Sequence, residues 1–451
     1  MRRSLQPGRP VPPHDHTILA GSCDHFLEEA NGRVMHTTTP TRVARGRVVR
    51  PEDAAARHWP LVIVGGGPAA AACGIAATAG GLDVLIIERS RMPRTKLCGC
   101  CLSPRSLNEL DRMGFALSGD SAGVPLSQFR LVTPRGEARI PVAGPQTVSR
   151  DRLDSALLGL AVEQGCHLLP ETTVQTAACR AEAAELTCRI GPEAAASETP
   201  AVDAEAVALR ESATVTFSAE CVVLATGLSD TVRLRGLNTT ASTAPPAPPA
   251  GRIGLGATLP PNAASLPLGE LVMAVEPFGY CGAVVLEDGR IDIAAAVDAD
   301  ALACSTPADL LQTLLARTNL GPLPLATARL RGTPPLTHRR HRVQGRVFRA
   351  GDTAGYVEPF TGEGIGWALT SGRLAGSALA ACFANGRIDH VAAARDYQRR
   401  CRAELGGSFR RCSLIARAVR SPRLMQAVLG GLRLAPWAGG PLVRLATGSG
   451  S

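Results

Sequence analysis

The hydrophobic pattern is clearest near residue 60, where two short apolar runs flank an alanine-rich segment. Leu61 to Val64 is an apolar run followed by glycines, which predicts a strand buried on both faces. Residues 68 to 79 are rich in alanine and predict a helix, and Val84 to Ile87 predict a second buried strand. The pattern therefore predicts a strand, a helix and a parallel strand within about thirty residues.

The rest of the pattern predicts a second group of strands and a helical C-terminal region. Alternating segments between residues 128 and 142 predict a hairpin, and residues 152 to 165 predict an amphipathic helix. Further strands are expected at 221–225, 270–275, 280–286, 290–297 and 346–350. Further helices are expected at 307–317, from 364 onward, and between 388 and about 444.

Three stretches lack a sustained period of either kind. Residues 1–57 are expected to be a disordered leader, 192–213 a surface insertion, and 239–250, rich in Thr, Ala and Pro, a flexible connection. The leader contains histidines and a cysteine whose spacing fits no tetrahedral site, so no metal is expected. These residues are His14, His16, Cys23, His25 and His36.

The composition is typical of a globular protein and argues against two other classes. Hydrophobic residues make up 45% and charged residues 19% of the 451 residues. The formal net charge is +9, but aromatic residues are only 3% and the arginines are mostly scattered, so nucleic-acid binding is not expected. Fourteen cysteines without a secretory signal indicate reduced thiols and a cytoplasmic location. No apolar run is long enough to cross a bilayer.

A glycine motif lies where the first strand turns into the helix. Gly65, Gly66 and Gly67, followed by Pro68, Ala69 and Ala70, match G-x-G-x-x-A. Gly65 permits the tight turn, Gly67 lets a pyrophosphate approach the helix N-terminus, and Ala70 keeps the helix close to the strand. Glu88, followed by Arg89, ends the second strand where a carboxylate accepts ribose hydroxyls. This unit predicts a dinucleotide site, with a purely structural turn as the alternative.

A second glycine-rich motif near the other end selects FAD over NAD. Gly351 and Asp352 follow a predicted strand, and Asp352 is expected to accept hydrogen bonds from a ribityl chain. Further on, a helix is expected to begin at a segment that aims free N–H groups at the flavin and stabilises negative charge on it. That segment contains Pro359, Gly362, Glu363, Gly364 and Ile365. A glycine-rich helix cap is the alternative interpretation.

Together these elements predict an α/β protein. A Rossmann-like FAD-binding domain is expected at 58–238 and 343–385, interrupted by inserted segments. A mainly β substrate domain is expected at 251–342, and a helical C-terminal region at 386–451.

The motifs occur in an order that resembles the geranylgeranyl reductase-like flavoproteins, which share the p-hydroxybenzoate hydroxylase-type fold. The resemblance covers about residues 60 to 385 and implies FAD-dependent oxidoreductase activity. It implies that Arg150 lies near the FAD ribityl chain or pyrophosphate, although a surface ion pair with Asp154 is the alternative. It also implies that Ala225, Thr226 and Gly227 pass the adenosine and that residues from Lys96 to Cys101 lie beside the isoalloxazine.

The sequence departs from that family at two places. Cys98, Gly99, Cys100 and Cys101 replace the family's Cys-Gly-Gly pattern. We expect small side chains packed under the flavin with Cys98 reactive, and a Cys98–Cys101 redox pair is the alternative. The family's Tyr-x-Trp-x-Phe-Pro pattern is replaced near Tyr280, where the tryptophan is missing; Tyr280 and Phe278 are expected either to line the substrate cavity or to belong to a core strand.

The leading hypothesis for the reaction is hydride transfer from reduced FAD to a C=C bond of an apolar prenyl, lipid or polyketide-derived substrate. Cys98, Tyr280 and Glu363 are the candidate catalytic residues. An aromatic monooxygenase and a non-catalytic prenyl- or lipid-binding protein are the alternatives. The electron donor is expected to be NAD(P)H or another carrier. The C-terminal helices, rich in Arg and Leu, either pack on the protein's own body or contact the inner face of a membrane peripherally. The oligomeric state is left open.

Overall fold

The computed structural model describes residues 46–191, 213–236, 251–358, 360–435, 437 and 439–440. The predicted leader up to residue 45, the surface insertion at 192–212, the linker at 239–250 and Pro359 lie outside the described residues. One part of the leader prediction is wrong, because Pro51–Ala55 is helical and Val48 pairs with Leu168 at the edge of a sheet.

The first strand–helix–strand unit forms as predicted. Strand His58–Val64 pairs in parallel with Val84–Ile87 and, on its other side, with Thr214–Leu224. Leu61 and Ile63 face one apolar core and Val62 faces another, so the strand is buried on both faces as its continuous apolar run requires. The nine-stranded sheet also places Val347–Arg349 beside Thr214–Leu224. Its main order is Arg233–Arg235, Thr172–Cys179, Ala184–Ile190, Thr214–Leu224, His58–Val64, Val84–Ile87 and His167–Leu169, and Val343–Gln344 pairs with Val347–Arg349.

A second sheet of seven strands is packed on a separate apolar core. Most of its strands come from residues 251–342, as expected for the substrate region, but the hairpin at 128–141 joins its edge because Gln128–Thr133 pairs with Glu270–Glu276. The strand order is Arg331–Pro335, Ile253–Leu259, Ile291–Val297, Gly279–Val285, Glu270–Glu276, Gln128–Thr133 and Gly136–Pro141.

Three small sheets complete the described strands. Their members are Cys101–Leu102, Gln146–Thr147 and Val124–Pro125; His338–Arg339 and Gly355–Tyr356; and Phe383–Ala384 and Arg387–Ile388. Short 3-10 turns lie at Gly119–Ser121 and Gly351–Ala354.

The described helices follow in chain order. They are α1 (Pro51–Ala55), α2 (Pro68–Ala79), α3 (Pro104–Arg112), α4 (Arg150–Glu163), α5 (Ala299–Cys304), α6 (Pro307–Leu315), α7 (Gly364–Ala381), α8 (His390–Val419) and α9 (Pro422–Leu434). None of these helices has both the length and the apolar character needed to cross a membrane.

The close contact between α2 and α7 brings the two glycine motifs together. A Cβ atom placed on Gly372 would lie 2.1 Å from the carbonyl oxygen of Ala69, and one on Gly376 would lie 2.2 Å from that of Cys73. Only glycine therefore allows the two backbones to approach this closely. Because α2 begins at the first motif and α7 at the second, this packing positions both motifs on one side of the main sheet.

Candidate active site

The first motif has the backbone conformation that its glycines predict. Gly65 has φ of +114°, and a Cβ atom placed on it would lie 2.5 Å from the carbonyl oxygen of Ala225. Its N–H donates to the carbonyl of Ile87, which anchors the turn between the two parallel strands. Gly67 is the N-cap of α2 and carries no capping side chain; Pro68 has no N–H and the N–H groups of Ala70 and Ala71 donate to the carbonyl of Gly67, which leaves the N–H of Ala69 for an anion.

Glu88 lies beneath this turn as expected for the acid of a dinucleotide site. Its carboxylate is buried and accepts hydrogen bonds from the N–H groups of Gly66 and Ser90. The neighbouring Arg89 is exposed at the surface. The position of Glu88 at the end of its strand fits an acceptor for ribose hydroxyls.

Arg94 is a charged residue of this site that sequence reasoning missed. Its guanidinium lies 3.2 Å from Asp154 and 3.7 Å from Glu88, and Nη2 comes within 3.7 Å of where a Cβ of Gly67 would be. The buried Nε has no hydrogen-bond partner among the described residues. An unsatisfied arginine beside an open helix N-terminus fits the pyrophosphate of FAD. No motif marks Arg94, because only the fold brings it back to Gly67.

Arg150 forms a buried ion pair with Asp154 and also lines the cavity. At the first position of α4 it makes two hydrogen bonds of 2.8 Å to Asp154, and both residues are buried. The pair is therefore not the surface ion pair of the alternative interpretation. Arg150 also lines the large cavity described below, so its contact with FAD remains a prediction that the geometry allows.

The second motif meets the first across the α2–α7 contact. A Cβ atom on Gly351 would lie 3.0 Å from the Cβ of Ala69, and the backbone carbonyl of Asp352 accepts a hydrogen bond from His338. Gly227 has φ of +78° and is held by the hydroxyl of Thr353, while Thr226 bonds to Asp230. The two ends of the folded region converge as the sequence predicted.

Glu363 does not have the position expected of a catalytic acid. It is the N-cap residue of α7, and its carboxylate is buried against Arg105, with Nε and Oε2 3.2 Å apart. Burial raises the pKa of this carboxyl despite the nearby Arg105 charge. Glu363 is not among the residues that line the cavity, whereas the adjoining Gly362, Gly364 and Ile365 are, and its catalytic role stays a prediction.

One large cavity of about 600 Å³ joins these elements. It runs from the α2 N-terminus past the segment at 96–102 to the second sheet and to helices α8 and α9. Tyr280 lines it and meets Phe360 edge to face at 5.1 Å, whereas Phe278 packs with the core behind the sheet. The predicted residues that line it are Gly67, Pro68, Ala69, Lys96, Cys98, Gly99, Arg150, Ala225, Gly227, Tyr280, Gly351, Asp352, Gly362, Gly364 and Ile365. The predicted residues Gly65, Ala70, Glu88, Arg89, Thr226 and Glu363 lie outside the lining.

Cys98 is the acidic thiol of the cysteine segment. The hydrogen bond from Cys100 and the charge of Arg150 outweigh burial and lower the pKa of Cys98 to about 5, so it is a thiolate at neutral pH. Burial, together with the charge of Cys98, raises the pKa of Cys101 to about 12. Both are free thiols. The pKa values of Cys98 and Cys101 differ because the two residues, although only three positions apart, have different surroundings.

Comparisons with known proteins agree with this geometry. Residues 58–243 match the family model described as an FAD binding domain. A menaquinone reductase from Mycolicibacterium smegmatis is 32% identical over 124 residues, which are 25% of this chain and 29% of that protein. The chain therefore aligns with less than a third of the length of this curated relative.

Solved structures extend the likeness to most of the chain. A flavoprotein/dehydrogenase from Cytophaga hutchinsonii has a TM-score of 0.66 at 14% identity and covers 86% of this chain and 92% of its own. A geranylgeranyl bacteriochlorophyll reductase-like protein from Thermoplasma acidophilum has a TM-score of 0.62 at 16% identity, and the match covers 81% of this chain and 88% of that protein.

The fold and the site thus define a flavoprotein with FAD as its cofactor. Residues 58–243 carry the FAD-binding domain, and the predicted resemblance to geranylgeranyl reductase-like proteins is confirmed for the fold. The α2 N-terminus and Asp352 line the cavity, and the roles predicted for them and for Glu88 in holding the cofactor stay predictions.

Proposed function

We propose that the protein is an FAD-dependent oxidoreductase that reduces a C=C bond of an apolar prenyl, lipid or polyketide-derived substrate. The observation that carries the proposal is the continuity of the cavity, which extends from the FAD cradle at Gly67 and Asp352 to apolar side chains on α8 and α9. Bound FAD supplies hydride transfer in this scheme. The residues of this chain bind and orient the substrate and exclude water from it.

The far end of the cavity is suited to a hydrocarbon chain. It is formed by Leu131 and Met273 of the second sheet together with Leu414, Val428 and Leu432 of the C-terminal helices. Burial of apolar surface gives roughly 25 cal/mol for each Å², so a substrate of several isoprene units would be held mainly by this wall. Lys96, Arg150 and Asp352 lie at the other end, where the cofactor is expected.

Partial similarity to menaquinone reductases supports a reductase over a monooxygenase. The first relatives compared share 32% and 33% identity over 124 and 119 residues, and their name describes reduction of an isoprenoid quinone. Similarity to a pyrrole carrier-protein brominase of 33% over 113 residues is of the same strength. The Trp-x-Trp-x-Ile-Pro pattern of halogenases is absent from the sequence, since Trp59, Trp367 and Trp437 are its only tryptophans.

A substrate test separates the hypotheses. The purified, FAD-loaded protein is reduced anaerobically with dithionite or NAD(P)H and mixed with menaquinone, with a geranylgeranyl lipid or with a phenol. A C=C reductase reoxidises its flavin and yields a product heavier by two hydrogen atoms, a mass gain that persists after any quinol has been reoxidised in air. Oxygen-dependent hydroxylation would instead identify a monooxygenase, and lipid binding without any bound flavin would identify a carrier.

A cavity-filling variant tests the role of the apolar wall. Val428 is half-buried on α9 and lines the cavity, whereas Val391 is exposed near the start of α8. Val428→Trp is expected to raise KM for a prenyl substrate at least tenfold while FAD binding is unchanged. Val391→Trp is the matched control. Equal KM values for the two variants would contradict the assignment of this wall to the substrate.

We further propose peripheral membrane contact through the C-terminal helices. Leu424, Leu434 and Trp437 are exposed beside the cavity wall, and arginines on α8 and α9 surround them. An apolar patch rimmed with cations fits the surface of an anionic bilayer. Sedimentation with phosphatidylglycerol vesicles, but not with phosphatidylcholine vesicles, is the expected result. The double variant Leu434→Ser, Trp437→Ser should remain in the supernatant.

A further inference from the structure

Asp292 is a buried acid that faces the cavity from the second sheet. It lies in strand Ile291–Val297, whose residues Ile291 and Ile293 face the apolar core behind the sheet. Because side chains alternate along a strand, Asp292 and Ala294 point to the opposite face, and both line the large cavity. Burying an acidic side chain in such an apolar strand costs free energy, so we expect this one to have a role in the cavity.

One oxygen of the Asp292 carboxyl group, Oδ2, is available to carry a proton. Oδ1 accepts a hydrogen bond from the hydroxyl of Thr258 at 3.3 Å. Oδ2 is buried and has no hydrogen-bond partner among the described residues. A buried carboxylate oxygen without a donor is unfavourable, whereas a protonated carboxyl tolerates the site.

A second, much smaller cavity reaches Asp292 from the other side. Its volume is about 10 Å³, close to the space of one water molecule. Polar groups of Ser149, Thr258 and Lys96 line it together with the Asp151–Arg290 ion pair. That pair has an N–O distance of 3.0 Å and about a quarter of each side chain is exposed. Asp292 thus lies between the solvent-contacting pair and the large cavity.

The charges around Asp292 favour its neutral form. Burial raises the pKa of Asp292 well above its usual value, and the negative charge of Cys98 raises it further. Hydrogen bonds with the Cys100 and Thr258 side chains and the charge of Arg290 act in the opposite direction but do not reverse the shift. The titratable and charged groups near Asp292 on the neighbouring elements are Cys98, Cys100, Cys101, Cys281 and Arg290, together with Lys96, Arg150 and Asp151, which line the small cavity with it.

We propose that Asp292 is the proton donor of this site and that it is reprotonated from solvent through the small cavity at Asp151 and Arg290. This inference rests on the proposed reduction of a C=C bond, which adds one hydride and one proton to the substrate. The hydride brings both electrons. The O–H bond at Oδ2 breaks as the second C–H bond forms, and the resulting carboxylate takes one proton from water, so each turnover consumes one solvent proton.

Infrared spectroscopy tests the proton without relying on activity. In the FAD-loaded protein at pH 7.5, Asp292 is expected to give the carbonyl stretch of a protonated carboxylic acid, shifted in D₂O. The band should disappear in Asp292→Asn and persist in Asp300→Asn, an exposed control on α5. Thr258→Val should shift the band without removing it. This shift identifies the band as that of Asp292 even if Asp292→Asn does not fold. Absence of such a band from the native protein would overturn the inference.

Kinetics test the transfer itself. With a C=C substrate that the native protein reduces in the test proposed above, Asp292→Asn is expected to lower kcat by about 10²- to 10⁴-fold, while FAD binding and anaerobic flavin reduction are unchanged. The native kcat should fall as the pH rises through the raised pKa, because the protonated form is the active one. An unchanged kcat in Asp292→Asn would overturn the role. If the native protein reduces no C=C bond, the proposed function fails, and the infrared band still decides whether Asp292 holds a proton.

Discussion

The replacement of Gly65 by alanine tests whether the first glycine motif is set by sterics. Gly65 has φ of +114°, and the new Cβ atom would lie 2.5 Å from the carbonyl oxygen of Ala225. Positive φ costs an alanine about 1–2 kcal/mol. Overlap with this backbone atom, in the residue directly after a central strand, adds about 1–3 kcal/mol. The sum is a loss of about 2–5 kcal/mol in the free energy of unfolding.

Gly81 supplies the matched control. Its φ is +85°, but a Cβ atom placed there has no atom within 4 Å. Gly81→Ala therefore carries the conformational cost alone, and the effect of losing a glycine from the unfolded chain is common to both variants. The difference between the two variants isolates the overlap with Ala225, about 1–3 kcal/mol.

Urea unfolding followed by circular dichroism measures this difference, and flavin fluorescence measures FAD affinity. Gly65→Ala should bind FAD at least tenfold more weakly, because a shifted turn displaces the N-terminus of α2. Gly81→Ala should bind FAD as the native protein does. If the two variants had the same unfolding midpoint and the same FAD affinity, the steric account of the motif would be refuted.

Three further predictions follow from buried charges. Glu88→Gln should weaken FAD binding about tenfold, or about 1.4 kcal/mol, because a charged acceptor of hydroxyl hydrogen bonds is lost. The surface variant Glu185→Gln should leave FAD binding unchanged. Titration calorimetry measures both affinities. The rate of alkylation of Cys98 by iodoacetamide should rise through pH 5 and level off above it, because its pKa is lowered to about 5; a midpoint near 8.5 would contradict the lowered value. Arg252→Ala should cost about 1.5–3 kcal/mol in urea unfolding, because it removes the guanidinium 3.1 Å from buried Glu358, which keeps only Arg420 at 2.8 Å, whereas Arg317→Ala at an exposed pair should cost less than about 1 kcal/mol; equal losses would be the contrary result.

Local chemistry made the cofactor half of the site predictable. The turn at Gly65, the start of α2 at Pro68 and the acid at Glu88 lie within about twenty-five residues, and each depends on near neighbours in the sequence. The bounds of α2 were predicted to the residue, because an N-terminal proline and a following glycine delimit it. The convergence of Asp352 on this turn was also foreseen, since its own glycines mark a second close approach.

Only the tertiary structure decided which charged groups face the cavity. Arg94 reaches Gly67, and Asp292 meets the cysteine segment, through contacts between residues far apart in the chain. Glu363 was expected at the cofactor but turns toward Arg105, because α3 packs against the start of α7. A motif specifies its own backbone through local sterics, whereas the direction and protonation of a side chain depend on distant groups that burial brings within a few ångströms.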